Sequence, residues 1–124
     1  MREIDFRMYS GDKKGYFYDT RIVLECLINQ NMGHVDYVKE GYAFEQFTGL
    51  LDKNGTKIFE GDKVKGKYYS GKIGVFNRIV GVVTFRNGCF EVSGLGKYEG
   101  LKEKLEYGYE VIGNIHEVNH ETTL

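Results

Sequence analysis

Proline and tryptophan are absent from this sequence of 124 residues, and cysteine occurs twice. Without proline, the turns must rest on glycine, asparagine and aspartate, which accept turn geometry for their own reasons. Cys26 and Cys89 have no metal-type spacing between them. Their apolar neighbours predict two reduced thiols in the core, in line with a cytoplasmic redox state. Long apolar runs are missing too. The longest, residues 22–28, is interrupted by Glu25 and is far short of a membrane span. The chain opens Met1-Arg2-Glu3-Ile4-Asp5, with charges where a signal peptide needs an apolar stretch, so neither export nor a membrane is expected. No sign of charge dominates: 17 basic against 18 acidic side chains give a net charge of -1. A nucleic-acid role would therefore need a local patch rather than a global field.

Glycine and aromatic residues are abundant. The 17 glycines fall between short apolar-aromatic runs, and 10 Tyr with 8 Phe suit pleated, half-buried surfaces. The pattern predicts many short strands joined by tight turns, in one domain over residues 1–124. From Arg2 to Tyr9 the chain alternates, with Ile4, Phe6 and Met8 on one face and Asp5 and Arg7 on the other, as in a strand with one buried side. Residues 22–29 fit a buried strand or a short helix, and their β-branched content favours strand. Asn87 and Gly88 mark a hairpin between residues 81–85 and 89–92, because that pair tolerates positive φ. Residues 52–55, Asp-Lys-Asn-Gly, repeat that turn chemistry. A last strand covers residues 109–117, where Gly113 predicts a bulge or a close backbone approach. Tyr98, Leu101, Lys102 and Leu105 follow a helical spacing, so residues 99–107 are expected to form two helical turns.

Three segments carry a resemblance. Residues 47–64 read Phe-Thr-Gly-Leu-Leu-Asp-Lys-Asn-Gly-Thr-Lys-Ile-Phe-Glu-Gly-Asp-Lys-Val, residues 81–92 form the hairpin just described, and residues 109–117 read Tyr-Glu-Val-Ile-Gly-Asn-Ile-His-Glu. With the opening Met-Arg-Glu-Ile-Asp-Phe-Arg, the chain resembles the YopX family of phage and prophage proteins. Residues 20–43 and 93–108 are less diagnostic. The resemblance implies a mainly β fold, a small distorted barrel or pseudobarrel of short antiparallel strands with at most one short helix. It also implies a phage or prophage origin and a bacterial cytoplasm. It brings no assigned activity, catalytic residues or cofactor. Every part of the first segment also has a structural use, Asp62 for instance accepting a backbone hydrogen bond to fix the corner after Gly61.

Four constellations invite chemistry. His116-Glu117-Val118-Asn119-His120 spells H-E-x-x-H, which holds zinc when a helix puts both imidazoles on one face. Here it follows a β-type segment, so a strand end is the simpler account. The glycines from Gly94 to Gly100 match neither the dinucleotide nor the Walker spacing and read as a loop. His34 stands alone in a turn. Residues 63–72 are the best binding candidate. In an extended strand Lys63, Lys65 and Lys67 line one face, with Tyr68, Tyr69 and Lys72 nearby. Lysines on phosphates and tyrosines on bases is how single-strand binders work, whereas a solvated edge strand carries lysine merely to block aggregation.

No Ser-His-Asp set and no argued pair of carboxylates is present, so no catalytic residue, metal site or cofactor is assigned. The first reading is a non-enzymatic binding module for a host or phage protein. The alternative is a nucleic-acid-binding β-barrel using Lys63, Lys65, Lys67, Tyr68 and Tyr69. A third is a metal-dependent hydrolase at the H-E-x-x-H. Strand edges and tyrosines also allow self-association into a homo-oligomer.

Overall fold

Period-two alternation and glycine turns build most of the molecule. The structure, a computed structural model, describes residues 3–69 and 76–117. Among these the elements run β1 (Phe6–Ser10), β2 (Gly15–Phe17), α1 (Thr20–Asn31), β3 (Tyr42–Leu51), β4 (Lys57–Phe59), β5 (Asp62–Tyr69), β6 (Phe76–Arg86), β7 (Cys89–Gly94), a 3-10 turn (Gly96–Tyr98), β8 (Lys102–Lys104) and β9 (Glu110–Asn114). The fold is mainly β with antiparallel sheets, and the five-stranded sheet β8-β7-β6-β5-β9 curls as a half-barrel. Contacts divide the chain into two compact units, Met1–Phe47 and Thr48–Leu124.

In the first unit β1 lies between β2 and β3, and α1 packs against β1. Residues 22–29 are helical, which corrects the preference for strand. Asp19 decides it: its Oδ1 accepts from the N–H groups of Arg21 (3.1 Å) and Ile22 (3.4 Å), satisfying donors that a helix start leaves open. Val23 is then fully buried and Cys26 and Leu27 half-buried along one helical stripe. Strand β1 is also more buried than its alternation predicts. Met8 is buried, but so is Arg7, whose Nε donates to Glu45 Oε1 at 2.8 Å. Arg7 and Glu45 are direct register partners, Tyr16 Oη donates to the same carboxylate at 3.0 Å, and the guanidinium lies 4.1 Å from the Tyr16 ring centre. A charge leaves water when its partner sits across the ladder, and alternation alone does not reveal that partner.

In the second unit Ile58, Val64, Ile79, Val83, Val92, Leu105 and Tyr109 form the core. Each fully buried Val or Ile contributes about 1.5–3 kcal/mol. The hairpin forms as expected: β6 pairs with β7 from Gly81↔Gly94 to Arg86↔Cys89, and Asn87 and Gly88 turn it at φ 52° and 82°. The expected bulge is present as well. Lys63 pairs with Gly113 and Val64 with Val111, so Ile112 is one extra residue of β9 at that point. Gly66, in the middle of β5, lies under the Tyr109 ring, where an added Cβ would come within 2.5 Å of Cδ1.

Two further expectations change. Residues 99–107 hold no α-helix: Gly100 at φ 95° breaks any helix there, and Lys102, Glu103 and Lys104 instead pair with β7. The one α-helix among the described residues is α1. The cysteines are free thiols but not core residues, Cys26 being half-buried and Cys89 exposed at the β6–β7 turn. No helix among the described residues is long and apolar enough to cross a membrane.

Candidate functional site

The register of β5 settles which of its side chains meet. Lys63, Lys65, Lys67 and Tyr69 alternate with Val64, Gly66 and Tyr68, and the second set turns to the core, where Tyr68 packs half-buried. Lys67 pairs directly with Arg78, Lys65 with Val80 and Tyr69 with Phe76, so these side chains share one face. The Tyr69 and Phe76 rings lie 5.6 Å apart. The same face continues across the sheet. Arg86 follows Arg78 by alternation along β6, and Glu91 pairs with both Thr84 and Lys104, Ser93 with Lys102. Lysine and arginine from β5, β6 and β8 therefore gather on this face, against Glu91 and Glu110. A chain with a net charge of -1 thus places a basic field on one side of one sheet.

At one end the face opens into a groove of about 820 Å³ lined by Lys53, Lys65, Lys67, Arg78, Glu110 and the aromatic rings of Phe76, Tyr98 and Tyr107. Glu110 Oε1 lies 3.3 Å from Lys53 Nζ and 3.6 Å from Lys65 Nζ. The hydrogen bond from Lys53, reinforced by both lysine charges, holds this carboxyl below its ordinary range. One carboxylate thus serves two ammonium groups. Among the described residues Lys67 and Arg78 have no acidic partner at all. Like charges placed directly opposite on a ladder destabilise it.

The β3–β4 turn positions the acidic end of the groove. Asp52 is buried, and its carboxylate accepts from Asn54 N (2.8 Å), Thr56 N (2.9 Å) and Val111 N (3.0 Å). Burial pushes its pKa up, but these three backbone donors outweigh burial and hold it below the ordinary value. Lys53 N also donates to Tyr109 O at 3.0 Å. The turn thereby grips the residues on both sides of Glu110. At the following corner Asp62 is buried and accepts from Phe59 N at 2.8 Å, as expected from the sequence, and its side chain lies on the β5 face opposite the lysines.

The family model described as "YopX protein" matches residues 4–120. The chain belongs to the YopX family. Among solved structures this YopX chain is similar to the crystal structure of protein EF1440 from Enterococcus faecalis, at 20% identity over 94% of this chain and 95% of that one, with a TM-score of 0.50. At that identity the likeness concerns the fold alone. No curated protein matches the chain. The signature turn of residues 52–55 is thus the element that fixes Lys53 and Glu110 in the groove.

The sequence-predicted residues divide. Lys65 and Lys67 line the groove, Lys63 lies farther along the same face, and Tyr69 stands beside Phe76 at its rim. Tyr68 lies on the opposite face, and Lys72 falls outside the described residues. Arg78, Phe76, Tyr98, Tyr107, Lys53 and Glu110 were not foreseen. Alternation in β6 puts Phe76, Arg78 and Val80 on one face, but only the register shows which face of β5 they join. At the H-E-x-x-H, His116 N donates to Asn114 Oδ1 (2.9 Å) and Asn114 Nδ2 to Glu117 Oε1 (3.0 Å), a turn rather than a helix, and His120 lies outside the described residues. Among the described residues no three His, Cys, Asp or Glu side chains gather as a metal-holding group.

Proposed function

We propose that this chain is a non-enzymatic nucleic-acid-binding module whose site is the basic face of the five-stranded sheet. One observation carries the reading: Lys67 faces Arg78 across β5 and β6, and among the described residues neither has an acidic ion-pair partner. Phosphate oxygens supply the missing charge, and each neutralised phosphate releases a condensed counterion. The family resemblance supports a phage- or prophage-encoded accessory role in a bacterial cytoplasm.

Fluorescence anisotropy with a labelled oligonucleotide at several salt concentrations tests it. Binding should weaken linearly in log-log form as salt rises, and Lys67→Glu with Arg78→Glu should abolish most of it while the fold persists by circular dichroism. Absence of binding at low salt, or binding indifferent to both substitutions, sinks the reading.

A second reading, a binding module for a host or phage protein, is favoured by α1. Ile28 is exposed there, and with the exposed C-cap Met32 it continues the line of half-buried Leu24. A partner of that kind would survive nuclease treatment and be lost on Ile28→Glu with Met32→Glu.

A further inference from the structure

The groove holds more than cations, and this points to one form of nucleic acid. Three aromatic side chains beside the Lys67 and Arg78 pair are largely open to solvent: Tyr69 at 51%, Phe76 at 60% and Tyr107 at 84%. A phosphate site needs no ring, and rings left in water contribute nothing to the core. Stacking on unpaired bases uses them, because every base has a π-face and a duplex hides those faces in its own stack. The backbone agrees. Alternate residues of a strand are about 6.6 Å apart, so Lys63, Lys65 and Lys67 form a regular row of cations that an extended strand's phosphates can track.

We infer that the face selects single-stranded over double-stranded nucleic acid, with Lys67 and Arg78 on a phosphate and Tyr69, Phe76 and Tyr107 stacking on bases. The inference rests on the nucleic-acid reading above and adds the ligand's form. The cations are sequence-blind and so are the rings, so recognition follows strandedness more than sequence.

The test compares one labelled oligonucleotide as a single strand, the same sequence as a blunt duplex, and inorganic polyphosphate as competitor, all at one salt concentration. The single strand should bind at least about tenfold tighter than the duplex and resist polyphosphate of equal charge. Tyr69→Ala with Phe76→Ala should remove most of that preference, and Tyr69→Phe should keep it, since it retains the ring. The duplex arm is expected to respond to Lys67→Glu and ignore the aromatic changes. Equal or tighter duplex binding, a preference untouched by the aromatic variants, or full displacement by polyphosphate would each overturn the single-strand inference while leaving the nucleic-acid reading standing. Failure of both oligonucleotides to bind would overturn the two together.

Discussion

Two cross-strand pairs in this molecule share a geometry and differ in charge. In the first unit Arg7 on β1 faces Glu45 on β3, both side chains buried, with Tyr16 completing the set. In the second unit Lys67 on β5 faces Arg78 on β6, both exposed and both positive. The first pair is finished within the fold. The second has no acid paired with either cation among the described residues, and the proposed site rests on that contrast. Charged residues of a β-protein are informative less by their number than by what the register sets opposite them.

Removing one half of the finished pair should have the largest effect. Glu45→Ala removes the carboxylate that both Arg7 and Tyr16 donate to in a buried site and should destabilise the protein by about 3–5 kcal/mol in urea unfolding. Oligonucleotide affinity of the fraction still folded should not change. Loss of less than about 1 kcal/mol would show that the pair is solvated and the comparison mistaken.

Next in size is a polar group on the core side of β5. Tyr109 is buried with no hydrogen-bond partner for its hydroxyl among the described residues, and burial, with smaller contributions from Glu103, Glu106 and Tyr68, pushes its pKa up to about 12. In the unfolded chain the phenol ionises near pH 10. Below that pH both states hold the proton and stability is unaffected. Between the two values the unfolded state loses its proton first, so stability should fall by about 2–3 kcal/mol as pH rises from 10 to 12. Tyr109→Phe should remove that alkaline term and leave neutral-pH stability within about 1 kcal/mol, because it deletes a hydroxyl that makes no bond. Unchanged alkaline unfolding in Tyr109→Phe would place the titration elsewhere.

The unfinished pair predicts a trade. Lys67→Glu puts opposite charges across β5 and β6, so stability should rise by about 0.2–1 kcal/mol. The same change should weaken oligonucleotide binding by about tenfold and lower the salt slope. A variant losing both stability and binding would mean that Lys67 is structural, and the contrast with Arg7 would collapse.

The smallest effect is a gain. Glu110→Gln releases Lys53 and Lys65 from their shared carboxylate, so affinity should increase by about two- to fivefold and the salt dependence should steepen. Unaltered affinity would confine the site to Lys67, Arg78 and the rings.

Local chemistry was legible wherever one residue type has one geometric use. Asn87 with Gly88 announced the β6–β7 hairpin, Gly113 the bulge of β9, and Asp62 its corner, because each acts on backbone within a few positions. The resemblance in residues 47–64 and 109–117 extended this to the family and the class of fold. Helix α1 stays open between strand and helix in the sequence because its apolar residues suit either period, and Asp19, the cap that decides, lies just outside the run. The helix expected over residues 99–107 failed for the opposite reason: its spacing was helical, but Gly100 and pairing with β7 took the backbone first.

By itself, then, the sequence determined the β-rich composition, the turns and the lysine row of β5, since all three depend on short-range alternation and on glycine, asparagine and aspartate. Only the tertiary structure decided that Arg7 is buried, that Tyr68 turns inward while Tyr69 turns outward, and that Arg78, Phe76 and Glu110 join the lysines. Those facts depend on which residue stands across a ladder from which. A shift of one position in register exchanges the two faces of a strand, and outside a tight turn such as Asn87-Gly88 the local sequence does not show which residues will face each other.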